Sequence, residues 1–192
     1  MADAATTAGR SSAQTNTVYA IILAVSFCHL LNDIMQSLLA AIYPMLKSDF
    51  GLDFWQIGFL TLAFQVTASV LQPLVGIYTD KRPMPYSLTF GMGMSMVGLV
   101  LLATAHTYWM LVVGACFIGI GSSIFHPESS RVARLASGGR YGLAQSLFQV
   151  GGNFGQALGP LLAAFIVVPL GQGSVGWFSA AALLGMIIGV AI

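Results

Sequence analysis

Six apolar runs, each near the length needed to cross a bilayer, dominate this sequence and limit what it can fold into. They lie at about 18–46, 55–78, 86–105, 109–133, 141–168 and 174–192, with short polar breaks between them. A membrane helix needs about 20 consecutive apolar residues. A soluble domain carries about 25% charged residues, whereas this chain has 7% and is 57% hydrophobic. It lacks the charges to cover a water-facing surface. The net charge of +1 provides no field for nucleic acid, so no nucleic-acid partner is expected. The sequence predicts an all-α membrane protein, a six-helix bundle embedded in a lipid bilayer.

The first run is not a signal peptide. It is too long, it contains Asp33, and no small-residue cleavage site follows it. Residues 1–17 are rich in Ala, Thr and Ser and read as a disordered cytoplasmic tail, followed by one membrane domain over 18–192. With the N-terminus inside, Arg10, Lys81, Arg82, Arg131, Arg134 and Arg140 fall on the inner face and only Lys47 falls outside. That asymmetry follows the positive-inside rule. The chain ends at Ile192 within an apolar run and is expected to be part of a longer transporter or one chain of a split one. Short similarities between Leu71-Gln72-Pro73-Leu74 and Leu158-Gly159-Pro160-Leu161, with one acid in each of spans 1 and 4, suggest two inverted three-helix repeats.

Polar residues inside the apolar runs carry the functional information. Asp33 lies midway along span 1, with Asn32 beside it and His29 and Gln36 at helical spacing on its face. A carboxylate at that depth costs at least ~2.5 kcal/mol on insertion scales. It therefore faces a water-filled cavity or is tied into a helix-helix hydrogen bond. Span 4 ends in His126-Pro127-Glu128-Ser129-Ser130-Arg131. Glu128 and Arg131 are spaced to pair along one helix face, and Pro127 is expected to kink the helix. Arg134 and Arg140 read as interfacial anchors. In span 5, Gln145, Gln149, Asn153 and Gln156 share a face and are expected to line a cavity or bond to other helices. Gly151, Gly155 and Gly159 permit close helix approach, and Pro160 is expected to bend the span.

No enzyme signature survives inspection. His126-Pro127-Glu128 fits the H-x-E of zinc deaminases, but the PCxxC is absent. There is no HExxH, GxSxG or Walker A. Cys28 and Cys116 read as core residues. No enzyme, cofactor or metal is expected. Without a P-loop, energy must come from an ion gradient, for which a deep acid is the usual proton carrier.

The loop Gly76-Ile77-Tyr78-Thr79-Asp80-Lys81-Arg82 resembles the first half of the loop signature of the major facilitator superfamily. Where that signature continues with Gly and bases, this chain has Pro83-Met84-Pro85. The run from Gly155 to Pro160 resembles the glycine-proline motif of the superfamily's antiporters, while the Arg often found in span 4 is absent near Ala115. Three longer strings resemble one branch of that superfamily: His29 to Asp33, Phe125 to Arg134, and Gly142 to Gln145 with Phe148 to Gly155. The resemblance implies the N-terminal half of a twelve-helix transporter, partnered by a C-terminal half. It implies a bacterial inner-membrane drug/proton antiporter that expels a small phosphonate bearing a hydroxamate group. Proton-coupling candidates are Asp33, Glu128 and His126. Substrate-binding candidates are Arg131, His29, Asn32, Gln36, Gln145, Gln149 and Asn153. Gly76, Asp80, Lys81 and Arg82 would gate. The competing reading is a six-span receptor or scaffold without a transport cycle, its acids satisfied inside a closed bundle.

Overall fold

The computed structural model describes residues 17–82 and 84–192, and among these there is no strand. Residues 1–16 of the expected tail, Arg10 included, lie outside the described residues. Six helices form the bundle: α1 (Tyr19–Ala41), α2 (Phe54–Lys81), α3 (Ser87–Ala103), α4 (Tyr108–Leu135), α5 (Tyr141–Leu170) and α6 (Gln172–Ala191). Five are long and apolar enough to cross a membrane, and α3, at 17 residues, is shorter.

Proline accounts for several departures from the expected boundaries. The first span ends at Ala41 rather than 46, and a separate short helix, Tyr43–Phe50, begins just before Pro44. Pro44 has no backbone N–H with which to continue the ladder of the first span, so a break belongs there. Gly51, in the left-handed region at φ 60°, ends this short helix. Asp53 then caps α2 reciprocally with Gln56. Single π-helical turns occupy Val66–Val70 and Ala163–Val167, shortly before Pro73 and Pro169. Each of these prolines removes a backbone donor from the preceding turn, so the ladder slips by one residue there. Pro127 and Pro160, expected to distort their spans, sit inside α4 and α5 without interrupting the helices.

α1 and α4 form the buried centre, whereas α2 and α5 leave most of their surface bare. α5 lies along α1 and α3 along α4, with α2 against α4 and α6 against α3. Glycine makes the two closest seams. A Cβ on Gly151 would strike the Ser26 carbonyl, and one on Gly155 the Leu30 carbonyl. A Cβ on Gly98 would stand 2.6 Å from the Gly114 carbonyl, and one on Gly121 2.8 Å from the Ser95 nitrogen. Without side chains the backbones approach and dispersion contacts multiply, the driving force available when no water is expelled.

The bundle is electrically polarised. Val18 N–H donates to the Ala136 carbonyl (2.9 Å) and Thr17 Oγ1 to the Ser137 carbonyl (2.8 Å), joining the start of α1 to the α4–α5 loop. Arg131 Nη1 donates to the Thr79 carbonyl (3.1 Å), bringing the end of α2 to the same place. That end carries Lys81, Arg82, Arg131, Arg134 and Arg140. At the other end Tyr108 Oη donates to the Gln56 carbonyl, and exposed Trp55, Phe59 and Trp109 cluster edge to face. This is the composition of an interfacial aromatic belt.

Candidate functional site

One face of α1 supplies the core of the site. His29, Asn32 and Asp33 are buried, and Gln36 is half-buried. The Asp33 carboxylate accepts from Gln36 Nε2 (3.2 Å) and Asn32 Nδ2 (3.3 Å) on Oδ1, and from Gln156 Nε2 of α5 (2.9 Å) on Oδ2. Amide donors thus replace the water that burial removes. α5 can deliver Gln156 because its glycines let it lie against α1. Gly152 has a related role, because a Cβ there would overlap the His29 imidazole. In its absence the ring stacks on Phe148 at 4.1 Å between centroids.

α4 completes the cluster with His126. Its Nε2 lies 3.3 Å from Asp33 Oδ1 and 3.3 Å from His29 Nε2, while His29 Nε2 lies 3.5 Å from Asp33 Oδ1. The other nitrogens fix the tautomers. His29 Nδ1 faces the Phe148 carbonyl (2.9 Å) and His126 Nδ1 faces the Ser122 carbonyl (3.0 Å). A carbonyl oxygen can only accept, so on these contacts we assign the hydrogen of each neutral ring to Nδ1. In the neutral rings both Nε2 atoms are therefore bare lone pairs. With that assignment neither Nε2 atom brings a hydrogen to the other or to Asp33 Oδ1, whose donors are the Gln36 and Asn32 amides. A single proton on either Nε2 resolves the conflict, bridging the rings and the carboxylate.

The cluster opens to a cavity of about 480 Å³ lined by Gln72, Gln145, Gln149 and Gln156. All three members line the cavity, and His126 is the most open of them, its side chain 24% exposed against 2% for Asp33. Gln145 is held by Ser130, and Gln149 Nε2 donates to Asn153 Oδ1 (3.1 Å). Gln149 and Asn153 are exposed. Gln72, Ser122 and Phe148 join the site without having been singled out in the sequence. Ser122 Oγ donates to Gln36 Oε1 (3.0 Å), linking His126 to the α1 amides.

Glu128 and Arg131 do not join this cluster. Glu128 is buried and turned toward α3, where Ser87 Oγ donates to its Oε2 (3.0 Å). Its Oε1 faces Arg131 Nη1 at 3.8 Å, beyond hydrogen-bond range. With Thr79 they fasten α4 to the neighbouring ends of α2 and α3. The gating candidates surround that fastening. Gly76 passes Pro127 of α4, with 3.8 Å to be left for a Cβ. Asp80 lines a cavity of about 380 Å³ with Arg131, Arg134 and Tyr141. Lys81 and Arg82 are exposed, and Arg82 lies over the Tyr78 ring.

The Major Facilitator Superfamily model matches residues 25–192. The chain is 58% identical over 181 residues to the Fosmidomycin resistance protein of Escherichia coli K12, covering 94% of this chain and 45% of that protein. It is 48% identical over 170 residues to an uncharacterized MFS-type transporter, YfnC, of Bacillus subtilis 168, covering 88% of this chain and 42% of that one. The chain thus spans under half the length of these relatives. The fold is also that of a crystallised peptide transporter (POT, E310Q mutant, with sulfate), at TM-score 0.71 and 19% identity, covering 90% of this chain and 37% of that one.

Proposed function

We propose that this chain, which belongs to the Major Facilitator Superfamily, is the N-terminal half of a proton-coupled antiporter that expels a small anionic drug of the fosmidomycin type across the bacterial inner membrane. That it is a multi-pass membrane transporter rather than an enzyme follows from the family. The exchange, the drug, the membrane and the orientation are our reading. The end rich in arginine is taken as cytoplasmic.

One observation carries the reading: Asp33 Oδ1 and the Nε2 atoms of His29 and His126 converge within 3.5 Å of one another in the lining of a polar cavity. Such a cluster demands a donor. A proton is one. A hydroxamic acid, which fosmidomycin carries, presents an O–H that is another. Either satisfies the lone pairs and both cannot, so drug and proton exclude each other, the sign that antiport requires. An imidazolium attracting the phosphonate would have the opposite sign and favour joint binding. The phosphonate is instead received by neutral amide donors from Gln149 and Asn153, with the C-terminal half closing the cavity. Glu128 and Arg131 are assigned to the cytoplasmic fastening, together with Asp80, Lys81 and Arg82.

In everted vesicles with an acidic interior, fosmidomycin is expected to dissipate the pH gradient when the full-length protein is present. Asp33→Asn is expected to abolish that response at equal protein level. A wild-type protein that leaves the gradient unchanged while binding the drug would overturn the exchange.

A further inference from the structure

We infer that His29, Asp33 and His126 also form a binding site for a divalent transition-metal ion of the zinc class. The three ligand atoms stand 3.3, 3.3 and 3.5 Å from one another. Two ligands each about 2.1 Å from a tetrahedral ion lie about 3.4 Å apart, so an ion fits without moving a helix. The outer shell is also in place. Each imidazole donates its Nδ1 hydrogen to a backbone carbonyl, Phe148 for His29 and Ser122 for His126. This arrangement fixes a metal-binding histidine in the correct tautomer and raises its basicity. Asp33 Oδ2 is held by Gln156, while Oδ1, which accepts from Gln36 and Asn32 at 3.2 and 3.3 Å, faces both Nε2 atoms and would coordinate.

Two imidazoles with one carboxylate suit zinc, cobalt or nickel better than magnesium or calcium, which prefer all-oxygen shells. The fourth position opens on the cavity beside Gln149, where water completes the shell. The ligands come from helices α1 and α4, with the two histidines 97 positions apart, so no compact motif announces them. The ion would use the lone pairs that otherwise take the proton. Blockade of exchange by zinc therefore rests on the proposed function, whereas binding itself does not.

The test is titration of the chelator-stripped, full-length protein in detergent with Zn²⁺ by calorimetry and with Co²⁺ by visible absorption. We expect one ion at this site and ligand-field bands of a four-coordinate cobalt. Affinity should fall at least about tenfold in both His126→Gln and Asp33→Asn, by the scale of metal-shell substitutions, with thermal unfolding of His126→Gln near wild type. No stoichiometric binding, or binding equal to wild type in both variants, overturns the site. Drug-driven proton exchange measured in chelator separates the two readings. Exchange without zinc binding removes the metal site alone, and zinc binding without exchange removes the antiport alone.

Discussion

Asp33 of α1 and His126 of α4 meet at 3.3 Å across the centre of the bundle, and this contact joins the two most buried helices through a titratable pair. Any change in the spacing of α1 and α4 alters that contact directly. In the proposed exchange, protonation and helix movement would be linked at this point. Asp33→Asn removes the charge that favours a proton between the rings and puts an amide there that can itself donate to a bare Nε2. Asp33→Asn is expected to lower fosmidomycin resistance at least tenfold at matched expression, read as the minimum inhibitory concentration in a strain lacking its own exporter.

Glu128 is predicted to behave differently. Its carboxylate serves the Ser87 hydroxyl on α3 and lies near Arg131. Glu128→Gln keeps an acceptor for Ser87 and loses only the charge. The expected result is drug-driven proton release within about twofold of wild type, with a slower transport rate from a loosened arginine-rich end. Stopped-flow pH-indicator and vesicle-uptake measurements on the same preparation separate these effects.

The α1–α5 seam gives a stability prediction. Gly152→Ala drives a methyl into the His29 ring, and Gly155→Ala drives one at the Leu30 carbonyl. Overpacking of this kind costs ~1–3 kcal/mol. Both variants should melt at lower temperature in detergent. Gly142→Ala and Gly173→Ala, with open space around their Cβ positions, should melt like wild type.

Much of this site was legible along single helices. The i, i+4, i+7 spacing of His29, Asp33 and Gln36 placed them on one face, and the amide stripe of α5 put Gln156 within the set that reaches Asp33. The glycine run announced the seam that makes the reach possible. The partnership of His126 was not legible, because nothing local connects residues 97 apart. A signal was present nonetheless. His126 and Glu128 are two residues apart, about 200° around a helix. They cannot face one cavity, and the structure sends one to α1 and the other to α3. The early end of α1 was similarly readable from Pro44, but hydropathy continues across the break.

Cavity access gives a further prediction. In a background with Cys28 and Cys116 replaced, Gln149→Cys and Gln156→Cys should react with a small aqueous thiol reagent, and fosmidomycin should slow labelling severalfold. A sealed scaffold would leave both thiols inert.

The most direct measurement is proton release from the purified full-length protein in weak buffer on addition of fosmidomycin, recorded with a pH indicator. The wild type and Glu128→Gln should release protons, whereas Asp33→Asn and His126→Gln should release few or none while still binding drug. Release that persists unchanged in Asp33→Asn, or that vanishes only in Glu128→Gln, would contradict the assignment of the exchanged proton to the His29, Asp33 and His126 cluster.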